Sequence, residues 1–193
     1  MPKPLLPALA LLAAGLVQAQ AQIDIRPVPA QPRASTLPAH WQHGVFMEIF
    51  VRGYQDSDGD GIGDLRGLTR RLDYLQKLGI SGLWLMPITA SSDHDHGYAT
   101  TDYRGIEPQY GTLADFDELV REAHRRGIAI VMDYVINHAS WQFPPFQHAV
   151  TDRTSPWRSW FVWNPEPGPG WDIWGKYPWY DAAQKPWTWT GEW

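Results

Sequence analysis

The sequence predicts an α/β fold, parallel strands joined by helices, and three observations carry that expectation. Short apolar runs recur at residues 45–51, 80–86 and 128–132, each ending at a breaker or in polar groups. Runs of that length read as strands buried on both faces, the kind a parallel sheet contains. Between them lie two stretches with helical spacing of apolar residues, so the order is strand, helix, strand, helix, strand, with right-handed crossovers.

The elements follow in order. Residues 45–51 are apolar except for Glu48 and form the first strand. Leucines at 65, 68, 72, 75 and 78 mark one face of a helix over residues 65–78, closed by Gly79 as its C-terminal cap. Residues 80–86 are the second strand, stopped by Pro87. Residues 88–111 are long and polar and read as a loop, of a length that usually carries function. Thr112 opens the next helix: Asp115 completes a capping box, Phe116, Leu119, Val120 and Ala123 share a face, and Gly127 ends it. The third strand runs on from Gly127, and Asp133, Asn137 and His138 cluster at its far end. In a β/α barrel the carboxyl ends of strands are where sites are built. Taken alone, Asp133 and Asn137 do no more than tie down the turn leaving the strand. Residues 139–193 have little periodicity and many prolines and read as an irregular excursion.

At 193 residues the chain holds one domain, or one and part of another. It begins with Met1-Pro-Lys3, an apolar run over residues 5–17 and then Gln-Ala-Gln-Ala21, the three zones of a signal peptide, so residues 1–21 are expected to be removed after Ala19 or Ala21. That run falls short of the roughly 20 residues that span a bilayer. The mature chain is therefore expected to be secreted or periplasmic, with no membrane partner. Residues 22–40, with four prolines, read as a linker or extended arm. There is no cysteine, so an exported chain of this kind relies on packing or a bound ion. A formal net charge of -5 without a basic run argues against nucleic acid as a partner. Ten of the 12 tryptophans lie between Trp141 and Trp193, so the chain changes character after His138. Such rings suit the apolar faces of sugars, and equally a small core of their own.

Asp56, Asp58, Asp60 and Asp64 put four carboxylates into nine residues, with glycines between them. Like charges so close repel unless a cation compensates. Oxygen ligands at alternate positions suit Ca²⁺, with the Ile62 carbonyl as a further ligand. The run matches the first nine positions of an EF-hand loop, but its twelfth position is Gly67 where a bidentate Glu is required, so it is not an EF-hand. The alternative is a solvated acidic turn without an ion.

With these pieces in hand, residues 44–141 resemble the alpha-amylase superfamily, glycoside hydrolase family 13. Asp133-Tyr-Val-Ile-Asn-His138 is similar to the family's first signature at the end of the third barrel strand. Residues 56–64 resemble the Ca²⁺ loop after the first strand. Asp95-His-Gly-Tyr98, leading into Ala-Thr-Thr-Asp-Tyr103, resembles the motif after the second strand. The resemblance implies a partial (β/α)₈ TIM barrel over residues 41–138, its first three strands and two helices, and the start of an inserted second domain over residues 139–193. It implies that Tyr98 stacks on the sugar at the cleavage subsite, that His138 hydrogen-bonds its hydroxyls, and that Asp95 helps close the subsite. The physical chemistry agrees, a ring for the apolar face and a carboxylate and an imidazole for hydroxyls. A metal pair formed by His94 and His96 is the alternative there.

The implied partner is an α-glucan or oligosaccharide. The family's nucleophile, proton donor and third carboxylate follow its fourth, fifth and seventh strands, so no catalytic residue is assigned here, and the rest of the barrel is needed for a closed fold. Two other classes share these features: a Ca²⁺-stabilised carbohydrate-binding module, and a transglycosylase or trehalose-forming isomerase.

Overall fold

The computed structural model describes residues 36–94, 96–161 and 163. The expected signal peptide, most of the arm, Asp95 and the tryptophans after Trp163 lie outside the described residues. In chain order the elements are a 3-10 turn at Trp41–His43, β1 (Val45–Ile49), α1 (Val51–Tyr54), α2 (Leu65–Arg70), α3 (Leu72–Lys77), β2 (Ile80–Leu85), β3 (Thr89–Ser91), β4 (Thr100–Ile106), α4 (Leu113–Arg125), β5 (Ala129–Met132), α5 (Pro144–Thr151) and a 3-10 turn at Arg158–Trp160.

The three apolar runs pair as a parallel sheet in the order β1-β2-β5. Its register sets Met47 beside Leu83 and Leu83 beside Ile130, while Glu48, Trp84 and Val131 form the neighbouring row. Side chains alternate between faces along a strand, so these two rows look in opposite directions. Ile49, Leu83 and Leu85 meet Leu65, Leu68, Leu72, Leu75 and Leu119 from the helices, all at most 1% exposed. Each such leucine contributes about 1.5–3 kcal/mol by leaving water. The other face is bare: Phe46 is 37%, Trp84 46% and Val131 38% exposed. The strands were expected to be buried on both faces, and among the described residues only the helix-bearing face is covered.

Other expectations change in detail. The first strand ends at Ile49 and residues 51–54 turn helical, because the chain must swing away to enter the aspartate loop. The single helix over residues 65–78 is two, broken at Arg71, whose amide bonds back three residues to Leu68 and tightens the turn. Four of its leucines face inward, whereas Leu78 is 56% exposed. The polar stretch 88–111 is not a bare loop: β3 and β4 pair in it as an antiparallel hairpin with two shifts of register. Residues 139–161 are less irregular than expected, since Pro144 sits in the first turn of α5, where its fixed φ suits a helix start and its missing amide costs nothing. The capping box at Thr112 and Asp115 forms as read, and Gly127 closes the segment after α4 with φ 73.

Candidate active-site edge

Two further ladder bonds carry the sheet past its strands, Met86 N–H to the Ile49 carbonyl at 3.0 Å and Asp133 N–H to the Leu85 carbonyl at 2.8 Å. The carboxyl ends of all three strands therefore finish level. Asp133 heads that edge, and the Tyr98 hydroxyl donates to its Oδ2 at 2.9 Å. His138 Nε2 lies 2.9 Å from the Tyr98 carbonyl oxygen. A carbonyl only accepts, so Nε2 carries the proton, and Nδ1 is left facing the Asn137 amide nitrogen at 3.2 Å. Tyr98 and His138 thus share one edge although 40 residues separate them.

Burial first, then the hydrogen bond to Asp133, pushes the Tyr98 phenol up, with Glu48 adding a smaller push from β1. Its ring remains 39% exposed and offers a face to solvent. Tyr103 donates to the His138 carbonyl at 2.6 Å, and Tyr134 donates to the Tyr103 carbonyl at 3.1 Å, so β4 and the segment after β5 brace each other behind the histidine. Beside them lies an open groove of about 550 Å³ lined by Tyr103, Asn137, His138, Phe143, Trp160 and Phe161. Its lining combines aromatic rings with an amide and an imidazole, which suits a sugar.

Sequence reasoning missed Tyr103 and Tyr134 as supports, and placed Asp133 at the site end of the strand without finding its bond to Tyr98. The hydroxyl of Tyr103 was the available signal, in a stretch already singled out for Tyr98. His94 and His96 each contact a different neighbour. His94 Nδ1 lies 3.3 Å from Glu107, and the His96 ring stacks on Phe50 with centroids 5.0 Å apart.

The aspartate loop sits at the same end of β1. One carboxylate oxygen from each of Asp56, Asp58 and Asp64 lies within 4.8 Å of the others, a hard-oxygen donor set that fits a divalent cation such as Ca²⁺. Asp60 is not among the carboxylates that meet there. Asp60 Oδ1 instead accepts from the Ile62 amide at 2.7 Å, which curls the chain within the loop. Backbone N–H groups of Gly59 and then Gly61 hold the Asp56 carboxyl below its usual range. Gly59 and Gly61 have φ 91 and 88, conformations that side chains resist. Asp64 does two further things: Oδ1 caps α2 through Gly67 N–H at 2.7 Å, and Oδ2 accepts from Ser57 N–H at 2.8 Å.

A parallel sheet with helices on one face and polar side chains gathered at its carboxyl edge belongs to the β/α enzyme folds. The chain belongs to the alpha-amylase family: the family model described as "Alpha amylase, catalytic domain" matches residues 48–192. The catalytic domain of that family is a (β/α)₈ barrel, and the three parallel strands seen here are part of one. The chain is 45% identical over 139 residues to Alpha-amylase 3 of Dictyoglomus thermophilum, covering 72% of this chain and 28% of the relative. It is 47% identical over 124 residues to an alpha-glucosidase of Pediococcus pentosaceus, covering 64% and 22%. Among solved structures it is similar to a mutant of the trehalulose synthase MutB in complex with the substrate sucrose, with TM-score 0.62, 41% identity, and coverage of 66% of this chain and 23% of that one. The chain spans about a quarter of the length of the curated relatives it matches.

Proposed function

We propose that this chain is the amino-terminal portion of an exported glycoside hydrolase that cleaves α-glucosidic bonds of starch or maltodextrin-type substrates with retention. The observation that carries the proposal is the joining of Tyr98 and His138 at one sheet edge, through the 2.9 Å bond from His138 Nε2 to the Tyr98 carbonyl. The Tyr98 ring stacks on the apolar face of the bound sugar. His138 and Asp95 take its hydroxyls, Asp95 lying outside the described residues. Retention needs two carboxyl groups about 5–5.5 Å apart, one attacking the anomeric carbon and one protonating the departing oxygen. Those groups belong to later strands of the barrel, so the 193-residue chain alone is inactive. Ca²⁺, held by Asp56, Asp58 and Asp64 with Asp60 and the Ile62 carbonyl drawn in, supplies stability and no chemistry. Export follows from residues 1–21 acting as a signal peptide, and the enzyme is secreted or periplasmic.

The likeness to a trehalulose synthase favours one second reading, an isomerase or transglycosylase built on the same edge. Product analysis of the complete enzyme on maltose and on sucrose separates the two: free glucose supports hydrolysis, and a rearranged disaccharide supports the second reading. In the same enzyme His138→Ala lowers kcat/KM more than it lowers stability, because a contact that strengthens in the transition state is lost. An unchanged kcat/KM refutes the role given to His138.

A further inference from the structure

Glu107 is a carboxylate with almost no access to water, being 3% exposed. Both its oxygens are engaged: Oε2 accepts from the Ser91 amide at 3.0 Å, and Oε1 lies 3.3 Å from His94 Nδ1. Its own amide donates to the Ile88 carbonyl at 2.9 Å. Backbone and side chain of one residue therefore grip β3 at both ends. A carboxylate leaves water only where its lone pairs are matched, and neither the leucine core nor the sugar contacts described above use this one.

What Glu107 grips is the hairpin that presents Tyr98. The Ser91 hydroxyl donates to Asp93 at 2.6 Å, the Ser92 amide donates to the Ala99 carbonyl at 2.9 Å, and the Ser92 and Ser140 hydroxyls lie 2.7 Å apart. His94 has φ 47, a left-handed conformation that a residue with a side chain keeps only when its surroundings fix it. At Gly97, with φ 86, an added Cβ would lie 2.7 Å from the Pro87 carbonyl oxygen, so the chain is pressed onto the end of β2 just before Tyr98. Both contacts of Tyr98, to Asp133 and to His138, depend on where that backbone lies.

We propose that Glu107 is a positioning residue for Tyr98. By holding the Ser91 amide and His94, it fixes the hairpin in the one placement that brings the Tyr98 carbonyl to His138 and the hydroxyl to Asp133. Its benefit to catalysis rests on the assignment of Tyr98 as the sugar-stacking group; the positioning itself does not.

Amide hydrogen exchange on the complete enzyme and on its Glu107→Ala and Glu107→Gln variants tests the positioning. Glu107→Ala speeds exchange of the Ser92 amide at least tenfold and leaves the Met86 and Asp133 amides, which mark the parallel sheet, unchanged. Glu107→Gln, which keeps an oxygen for the Ser91 amide, recovers most of the protection. An unchanged Ser92 amide, or an equal rise at Met86 and Asp133, overturns the proposal. Should Glu107→Ala fail to fold, His94→Ala removes the far end of the pairing at an exposed side chain and is read the same way. In the complete enzyme Glu107→Ala raises KM for an α-glucoside several-fold with a smaller change in kcat, and the Gln variant recovers it. If Tyr98→Ala leaves that KM unchanged, the sugar assignment fails while the exchange result still decides the positioning.

Discussion

Asp64 is where two physical roles can be pulled apart by one pair of substitutions. It is 8% exposed, caps α2 through the Gly67 amide, accepts from the Ser57 amide, and contributes one of three clustered carboxylates. Asp64→Ala removes an N-cap, which costs about 1 kcal/mol, and strands the Ser57 amide, which costs about 1–3 kcal/mol more. These losses, about 2–4 kcal/mol together, are independent of any ion. Calcium at 100 times its dissociation constant adds about 2.7 kcal/mol to a folded state that binds it, and the variant forfeits most of that as well. Asp58 is exposed, and its Oδ1 accepts from the Asp60 amide at 3.2 Å, a bond an asparagine oxygen can keep, so Asp58→Asn changes the charge offered to the ion without removing a helix cap.

Thermal melts of the three proteins, in excess calcium and in excess chelator, read out both roles. For a domain of this size about 1 kcal/mol moves the midpoint by roughly 2–4 °C. Asp64→Ala is expected to melt several degrees below the parent in chelator, with a wider gap in calcium. Asp58→Asn is expected to melt at or above the parent in chelator, because one of three crowded like charges is gone, and to gain less from calcium than the parent does. A parent midpoint indifferent to calcium would falsify the ion, leaving the loop held by its own backbone bonds. An Asp64→Ala midpoint equal to the parent's in chelator would refute the cap.

Two further outcomes are expected. Asp115, lowered first by the Thr112 hydroxyl and then by Arg66, and Glu122, held at about 2 by Arg125 and then Arg126, both ionise more readily folded than unfolded. Groups of this sign contribute stability above their unfolded pKa and lose it as pH falls through the folded one. Urea unfolding should therefore show stability falling from about pH 4.5 toward pH 2, and a flat profile there would count against these ion pairs. Leu85→Ala, at a fully buried position facing the helices, should cost about 2–5 kcal/mol in the same assay. A loss below about 1 kcal/mol would mean the sheet does not pack on those helices as described.

Features legible in the sequence were those specified by neighbours along the chain. The capping box at Thr112, the leucine stripe, the glycine-spaced aspartates and the polar end of β5 each announce themselves within a dozen residues. The hairpin of β3 and β4 did not, because β3 has three residues and its register slips twice, so no alternation survives to be read. One of its holds is the carboxylate of Glu107, directly after β4, which accepts from the Ser91 amide across the hairpin and which no local pattern marks. The same limit applies at the site. Tyr98 and His138 could be placed near each other by the topology of a parallel sheet, but the braces from Tyr103 and Tyr134 join residues 35 and 31 apart through backbone carbonyls, which every residue carries.

The bare face of the sheet shows what the apolar runs encode. Strands that bury one face alternate apolar with polar, yet the row opposite the helices is Phe46, Trp84 and Val131, with Glu48 its one charged member. A sequence that places an indole at 46% exposure in the middle strand is written for surroundings that cover it. In a (β/α)₈ barrel that row faces the interior, where layers of side chains from alternate strands fill the space. Glu48 stands level with Trp84 and Val131 in that register, and its charge pushes the Tyr98 phenol up. One cross-strand row therefore sets a carboxylate beside an indole and a valine, with Phe46 two residues lower on β1. The parity of β1 thus decides which face receives that charge, and one residue of shift would put Glu48 among the leucines.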